Sequence, residues 1–276
     1  MKTDLKGLEA GEMEDWAVGH GLEAYRGRQI RHWLFKRLAS SFEEMTDLAK
    51  TMRAFLKEKA SINVLRNEKT LMSEDGTKKF LFRLHTGHLV ESVLIPERGH
   101  FTLCISSQVG CAMGCRFCLT GAHGLQSNLK ASEIVDQVIQ VKRSMTDPDR
   151  LTNIVLMGMG EPLDNYDSVM KAIGNLIRGD GMGFSSRRLT LSTCGLVPQM
   201  VKMGRDVTVN LAVSLNAADD KTRSFLMPIN RRYPLENLLK TCRHFPLPNR
   251  RMITFEYVLI DHINDSDQDA LRLSRL

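Results

Sequence analysis

A chain of 276 residues with 42% hydrophobic and 25% charged side chains has ordinary globular composition, enough for one large domain beside a small one. Membrane spans and secreted disulfide scaffolds are not expected: there is no run of about eighteen apolar residues, and the start, MKTDLKGLEAGEMEDW, lacks both a basic head before an apolar stretch and a small-residue cleavage site. The chain reads as soluble and cytoplasmic, its six cysteines point to metal or redox chemistry in a reducing compartment, and the net charge of +6 favours a polyanionic partner without requiring one.

Residues 1–62 carry helical signals. WAVGHGLEAYRGRQIRHWLFKRL has apolar residues at spacings of three and four, and SSFEEMTDLAKTMRAFLKEKASI opens with a serine followed three positions on by a glutamate. A small basic helical module is expected, with Arg26, Arg28, Arg31, Lys36 and Arg37 on its exposed side. They either grip phosphates or form a solvated face. Residues 63–97 change to short alternating runs around an EDG turn and a TGH turn, which predicts strands in hairpin order linking two larger parts.

Over 98–276, apolar strand-like runs (FTLCIS, TNIVLMG, RRLTLST, TVNLAVSL, MITFEYVLI) alternate with helical stretches (SEIVDQVIQVKRSM, YDSVMKAIGNLI, LVPQMVKMG, PLENLLKTCRHF). This order predicts an α/β fold of parallel strands with crossover helices, as a barrel or an open doubly wound sheet. DSDQDALRLSRL follows as an amphipathic helix with no stop signal.

The segment CAMGCRFC, residues 111–118, sits after the first strand of this series, at the strand end where βα folds keep their chemistry. Structural zinc wants four closed ligands, and here only His123 lies near as a completing group. Three thiolates in one tight loop suit three corners of an iron–sulfur cubane, leaving one iron open to another ligand. Buried cysteines and a zinc site closed by His123 are the plainer alternatives.

C-x3-C-x2-C with an aromatic, Phe117, before its last cysteine resembles the signature of the radical S-adenosylmethionine enzymes. SSQVGCAMGCRFC, GMGEP, LSTCGLVP, LAVSLNA, MPINRRYPL and FEYVLIDHIND resemble, more narrowly, the adenine carbon-2 methyltransferases of 23S ribosomal RNA and tRNA, the dual-specificity RlmN family. The likeness runs from about Leu22 to the end of the chain.

The resemblance implies a partial (β/α) radical SAM barrel behind the helical domain and hairpin linker. Its cofactors are a 4Fe-4S cluster on Cys111, Cys115 and Cys118 and S-adenosyl-L-methionine bound by its amino and carboxylate groups to the open iron. Gly160 and Glu161 then hold the methionine end, with further cofactor contacts at Ser192, Ser214, Leu215 and Asn216. The last departs from the histidine usual in the family.

Glu91 matches a proton acceptor, and Cys104 matches a catalytic cysteine that pairs transiently in a disulfide with a methyl-carrying cysteine. The implied partners are 23S rRNA, the tRNA anticodon loop and an electron donor such as flavodoxin or ferredoxin, with the enzyme a monomer. Adenine carbon 2 is electron-poor between two ring nitrogens and cannot attack a sulfonium, which is why radical chemistry is required. The family pattern continues past position 276 with one more strand, an asparagine and the methyl-carrying cysteine. The expectation is therefore a C-terminally incomplete chain that binds cluster and cofactor without transferring methyl.

From the residues alone, Gly158 and Gly160 let backbone approach a ligand, Glu161 accepts from an ammonium, and Ser192 and Ser214 suit ribose or carboxylate. Glu91, flanked by apolar residues, is expected in a partly buried position with a raised pKa. Cys194 and Cys242 read as small core or surface residues. A zinc-holding RNA-binding protein and a radical enzyme with another substrate, such as an activase, are the rival functions.

Overall fold

The computed structural model describes residues 2–276. In chain order, the strands are β1 (Thr3–Asp4), β2 (Ala60–Ser61), β3 (Arg66–Met72), β4 (Lys78–Arg83), β5 (Leu89–Glu97), β6 (His100–Cys104), β7 (Gln108–Gly110), β8 (Leu125–Asn128), β9 (Leu151–Leu156), β10 (Leu189–Thr193), β11 (Asn210–Ser214) and β12 (Thr254–Glu256). The helices are α1 (Ala10–Gly19), α2 (Ala24–Phe35), α3 (Lys50–Lys59), α4 (Leu119–Ala122), α5 (Ala131–Ser144), α6 (Tyr166–Ile177), α7 (Val197–Asp206), α8 (Asp220–Leu226), α9 (Leu235–Arg243) and α10 (Asp267–Leu273). No helix among the described residues is long and apolar enough to cross a membrane.

The chain forms two compact units. One comprises Met1–Ser106, Leu129–Ile154 and Asp167–Ser185, and the other Ser107–Asn128, Val155–Tyr166 and Ser186–Leu276. In the first, β3, β4, β5 and β6 form an antiparallel meander, with a bulge between Asn67 and Lys69. Alternation sends Phe80, Phe82, Val90 and Leu94 inward, and the side chain of Gln137 on α5 ties to Ser92 Oγ (2.8 Å) and to the Ser106 N–H (2.9 Å).

The N-terminal helices divide at a glycine turn and differ from expectation at two places, Ser41 and Arg31. Residues 16–38 form two helices, because Gly21 turns at φ +75° and the chain re-enters helix only at Ala24. The serine at the head of SSFEEM does not open a long helix. Ser41 instead precedes a single 3-10 turn, Phe42–Glu44, and α3 starts at Lys50. Finally, Arg31 is buried, not on the exposed side. Its Nη1 donates to the Leu8 carbonyl (3.3 Å), its guanidinium lies over the Phe35 ring, and Asp180 supplies the countercharge at 3.5 Å.

Beneath these helices Lys6, wholly buried, pairs with Asp136 on α5, whose second oxygen accepts from the Leu65 N–H at 2.6 Å. A charge this deep persists only when paired and hydrogen-bonded, and this one is.

In the second unit β10, β11 and β12 run parallel, in register at Thr193–Val213 and Ser214–Glu256. The βα alternation legible from position 98 onward thus does produce a parallel sheet, with α7, α8 and α9 lying in the crossovers. The β7–β8 hairpin encloses the cysteine segment, which the helix and strand periodicities had not signalled.

Candidate active site

The cysteine loop is shaped by backbone bonds. The Cys111 N–H donates to the Gly124 carbonyl (3.0 Å), the Cys118 N–H to the Cys115 carbonyl (3.1 Å), and the Arg116 N–H to the Leu226 carbonyl (2.9 Å). Gly110 holds φ +76° where any side chain would strike Gly124, so the hairpin closes tightly in front of the loop. Cys118 sits at the entry to α4, and Arg116 stacks over Phe225.

The loop opens on a cavity of about 250 Å³ lined by Cys111, Cys115 and Cys118, by Gly158, Gly160 and Glu161, and by Ser192, Thr193, Cys194, Ser214, Met227 and Glu256. Burial raises the Cys111 thiol to about 11 and the Cys115 thiol to about 12, with neighbouring thiols and Glu161 adding to both. Among the described residues no three His, Cys, Asp or Glu side chains gather round the position of a single ion. A cluster of several irons asks for thiols spread around a wider space, and soft thiolates on a shared cavity match that requirement. The residues fit the group.

Glu161 is held by backbone: Oε1 accepts from the Leu163 N–H (3.0 Å) and Oε2 from the Cys194 N–H (2.8 Å), and burial raises its pKa. Its own N–H donates to Gln108 Oε1 at 2.8 Å. Gln108, wholly buried, also donates to Asn128 Oδ1 and Asp164 Oδ2, and so ties the hairpin to the GMGEP turn.

Gly160 is required for a different reason than expected. At φ +104° an added Cβ would lie 2.6 Å from Gln108 Cβ and 2.7 Å from its backbone nitrogen, so the close approach is to the hairpin.

The sequence-predicted positions divide. Cys111, Cys115, Cys118, Gly160, Glu161, Ser192 and Ser214 share the cavity. Leu215 does not line it: its side chain faces a separate apolar hollow with Cys242 and Phe255. Asn216 is buried at φ +56°, its Oδ1 accepting from the Val258 N–H (2.9 Å) and its Nδ2 reaching the Met227 sulfur (3.3 Å). Asparagine tolerates that left-handed backbone better than most residues, and its side chain braces a loop.

Glu91 and Cys104 belong to the other unit. The Glu91 side chain is 43% exposed and pairs with Lys79 at 3.1 Å, so an apolar pocket does not enclose it. Cys104 pairs in register with Val93. No disulfide forms among the six cysteines.

Cys194, read from the sequence as a small core or surface residue, is a core residue that also lines the cavity, and two further participants, Arg223 and Glu256, escaped sequence reasoning. Cys194 is buried against Leu226, Met227, Met113 and Cys115. Arg223, wholly buried, donates to the carbonyls of Cys194 (2.8 Å), Ser214 (3.0 Å) and Leu215 (3.0 Å). Glu256 accepts from Ser192 Oγ at 2.6 Å. A lone carboxylate inside the apolar run TFEYVLI was the available signal for the last.

A family model described as the radical SAM superfamily matches residues 105–274, and one described as the ribosomal RNA large subunit methyltransferase N-terminal domain matches residues 3–62. The chain is 57% identical over 273 residues to the dual-specificity RNA methyltransferase RlmN of Geobacter sulfurreducens, covering 99% of this chain and 75% of that one. The chain belongs to the RlmN family.

The RlmN protein of Desulfosudis oleivorans is 52% identical, with 100% of this chain and 75% of that one covered. The crystal structure of a radical SAM methyltransferase from Sphaerobacter thermophilus superposes with a TM-score of 0.93 at 44% identity, over 99% of this chain and 81% of that one. Membership makes the chain a radical SAM enzyme whose cofactors are a 4Fe-4S cluster and S-adenosylmethionine.

Proposed function

We propose that this RlmN-family enzyme methylates carbon 2 of adenosine in 23S ribosomal RNA and in the tRNA anticodon loop, with Cys111, Cys115 and Cys118 as the cluster ligands. The observation that carries the site assignment is that these three thiols share one cavity with Gly160 and Glu161. When bound, the cluster with S-adenosylmethionine supplies the radical that an electron-poor ring carbon requires.

This chain's own groups do the rest. Cys111 and Cys115 give up protons as they become ligands, since only the thiolate binds metal. Glu161, held by two backbone N–H groups, presents a fixed acceptor surface to the methionine end. Ser192 and Ser214 face the cavity as polar contacts, while Leu215 and Asn216 act through backbone and loop bracing. Glu91 serves as the proton acceptor and Cys104 as the catalytic cysteine that pairs transiently in a disulfide with a methyl-carrying cysteine. A flavodoxin or ferredoxin supplies the electron, the working form is a monomer, and the enzyme acts in the cytoplasm.

Anaerobic reconstitution tests the cofactor reading: the expected product is a brown protein with about four irons per chain. Stoichiometric zinc with no iron would overturn it. For the substrate, mass spectrometry of RNA from a strain lacking the gene, complemented with the gene in trans, is expected to recover 2-methyladenosine in both RNA classes. Failure to recover it sinks the substrate assignment.

A further inference from the structure

Glu256 lies at the end of β12, directly opposite Ser214 on β11, with its backbone carbonyl accepting from the Leu215 N–H at 2.9 Å. Ser192 Oγ donates to its Oε2 at 2.6 Å and Ser214 Oγ to the same oxygen at 3.3 Å. Oε1 takes no hydrogen bond among the described residues, and all three side chains line the cysteine cavity.

Each serine hydroxyl has one proton, and both protons are spent on Glu256. Toward the cavity the trio therefore offers acceptors only: the free carboxylate oxygen and the serine lone pairs. Such a surface repels a carboxylate or phosphate and complements paired neutral donors, the arrangement of a vicinal diol. A carboxylate at a strand end serves a ribose in this way in dinucleotide-binding folds.

We infer that Glu256 is the ribose-binding residue of the cofactor site, taking the diol of S-adenosylmethionine with Ser192 and Ser214 as its positioning partners. This rests on the cofactor reading above and sharpens it, since the two serines alone suit ribose or carboxylate equally. The negative charge of Glu256 decides between them.

The test is a binding cycle on the anaerobically reconstituted chain without reductant, so that nothing turns over. Affinities for S-adenosylmethionine and for its 2′-deoxy and 3′-deoxy analogues are measured by calorimetry, for the wild type and for Glu256→Gln. The wild type is expected to bind at least one deoxy analogue about tenfold to a hundredfold more weakly, and Glu256→Gln to lose about the same factor for the parent while no longer distinguishing parent from analogue.

Equal losses for parent and analogues in Glu256→Gln mark a purely structural residue and overturn the inference, as does a wild type indifferent to the missing hydroxyl. If Glu256→Gln does not fold, Ser214→Ala takes its place, with a loss of about threefold expected for the parent only and an equal loss for all ligands overturning the inference. A wild type that binds none of these ligands refutes the cofactor reading itself, a different failure.

Discussion

The two compact units satisfy their buried polar groups in opposite ways. In the first, the two buried cations meet countercharges, Lys6 with Asp136 and Arg31 with Asp180. In the second, Glu161 and Glu256 accept only from neutral donors, namely backbone N–H groups and serine hydroxyls. Closed pairs specify a core and bind nothing further. Acids held by neutral donors keep lone pairs open to a ligand that brings further donors.

This contrast breaks most sharply at the cysteines. Cys115→Ala is expected to lower iron in reconstituted protein to background while thermal unfolding shifts little, because a half-buried side chain is lost from a loop. Iron retained at the wild-type level would remove Cys115 from the ligand set.

The first unit should respond the other way. Lys6→Met strands the Asp136 carboxylate and is expected to cost about 3–5 kcal/mol in denaturant unfolding, with iron content per folded molecule unchanged. Adding Asp136→Leu should recover most of that loss. A single-variant cost below about 1 kcal/mol would show that the buried pair contributes no more than a surface one.

The raised thiols sharpen the comparison through pH. In cluster-free protein at pH 8, Cys115 at about 12 should alkylate at least about a hundredfold more slowly than an ordinary thiol. Its rate should rise about tenfold per pH unit well past 9. The sign for stability is the reverse of the carboxylate case: the folded state holds these protons longer than the unfolded state, so stability falls as pH climbs from about 9 toward about 11. A rate plateau near pH 9 would contradict the burial of the loop.

The smallest effect on stability belongs to Glu91. Its pairing with Lys79 is largely solvated, so Glu91→Gln should change unfolding free energy by less than about 1 kcal/mol. A proton-accepting role predicts instead a loss of about a hundredfold or more in methyl transfer by the active enzyme, measured as 2-methyladenosine formed. Unaltered turnover would leave Glu91 as a surface ion pair.

Much of this organisation was legible in the sequence because period carries it. Alternation sent Phe80 and Phe82 inward, and the βα rhythm placed β10 to β12 in a parallel sheet. Local rules failed where a distant partner decides. Arg31 looks like one more surface arginine until Asp180, far along the chain, supplies its countercharge. Gly160 lines the cavity, but the contact that demands a glycine there is with Gln108, distant in the chain. Glu256 looks like the polar side of an edge strand, and only the register with Ser214 turns it toward the cysteine loop.

Arg223 carries a mechanical consequence. One guanidinium gathers carbonyls from the ends of β10 and β11 and donates to Asn230 Oδ1 at 2.8 Å, so the two strand ends cannot drift apart without breaking several charge-assisted bonds together. A molecule laid across those ends meets a floor whose ordering cost was met when the chain folded. Tight binding there then depends less on contacts made by the guest than on stiffness already built into the host.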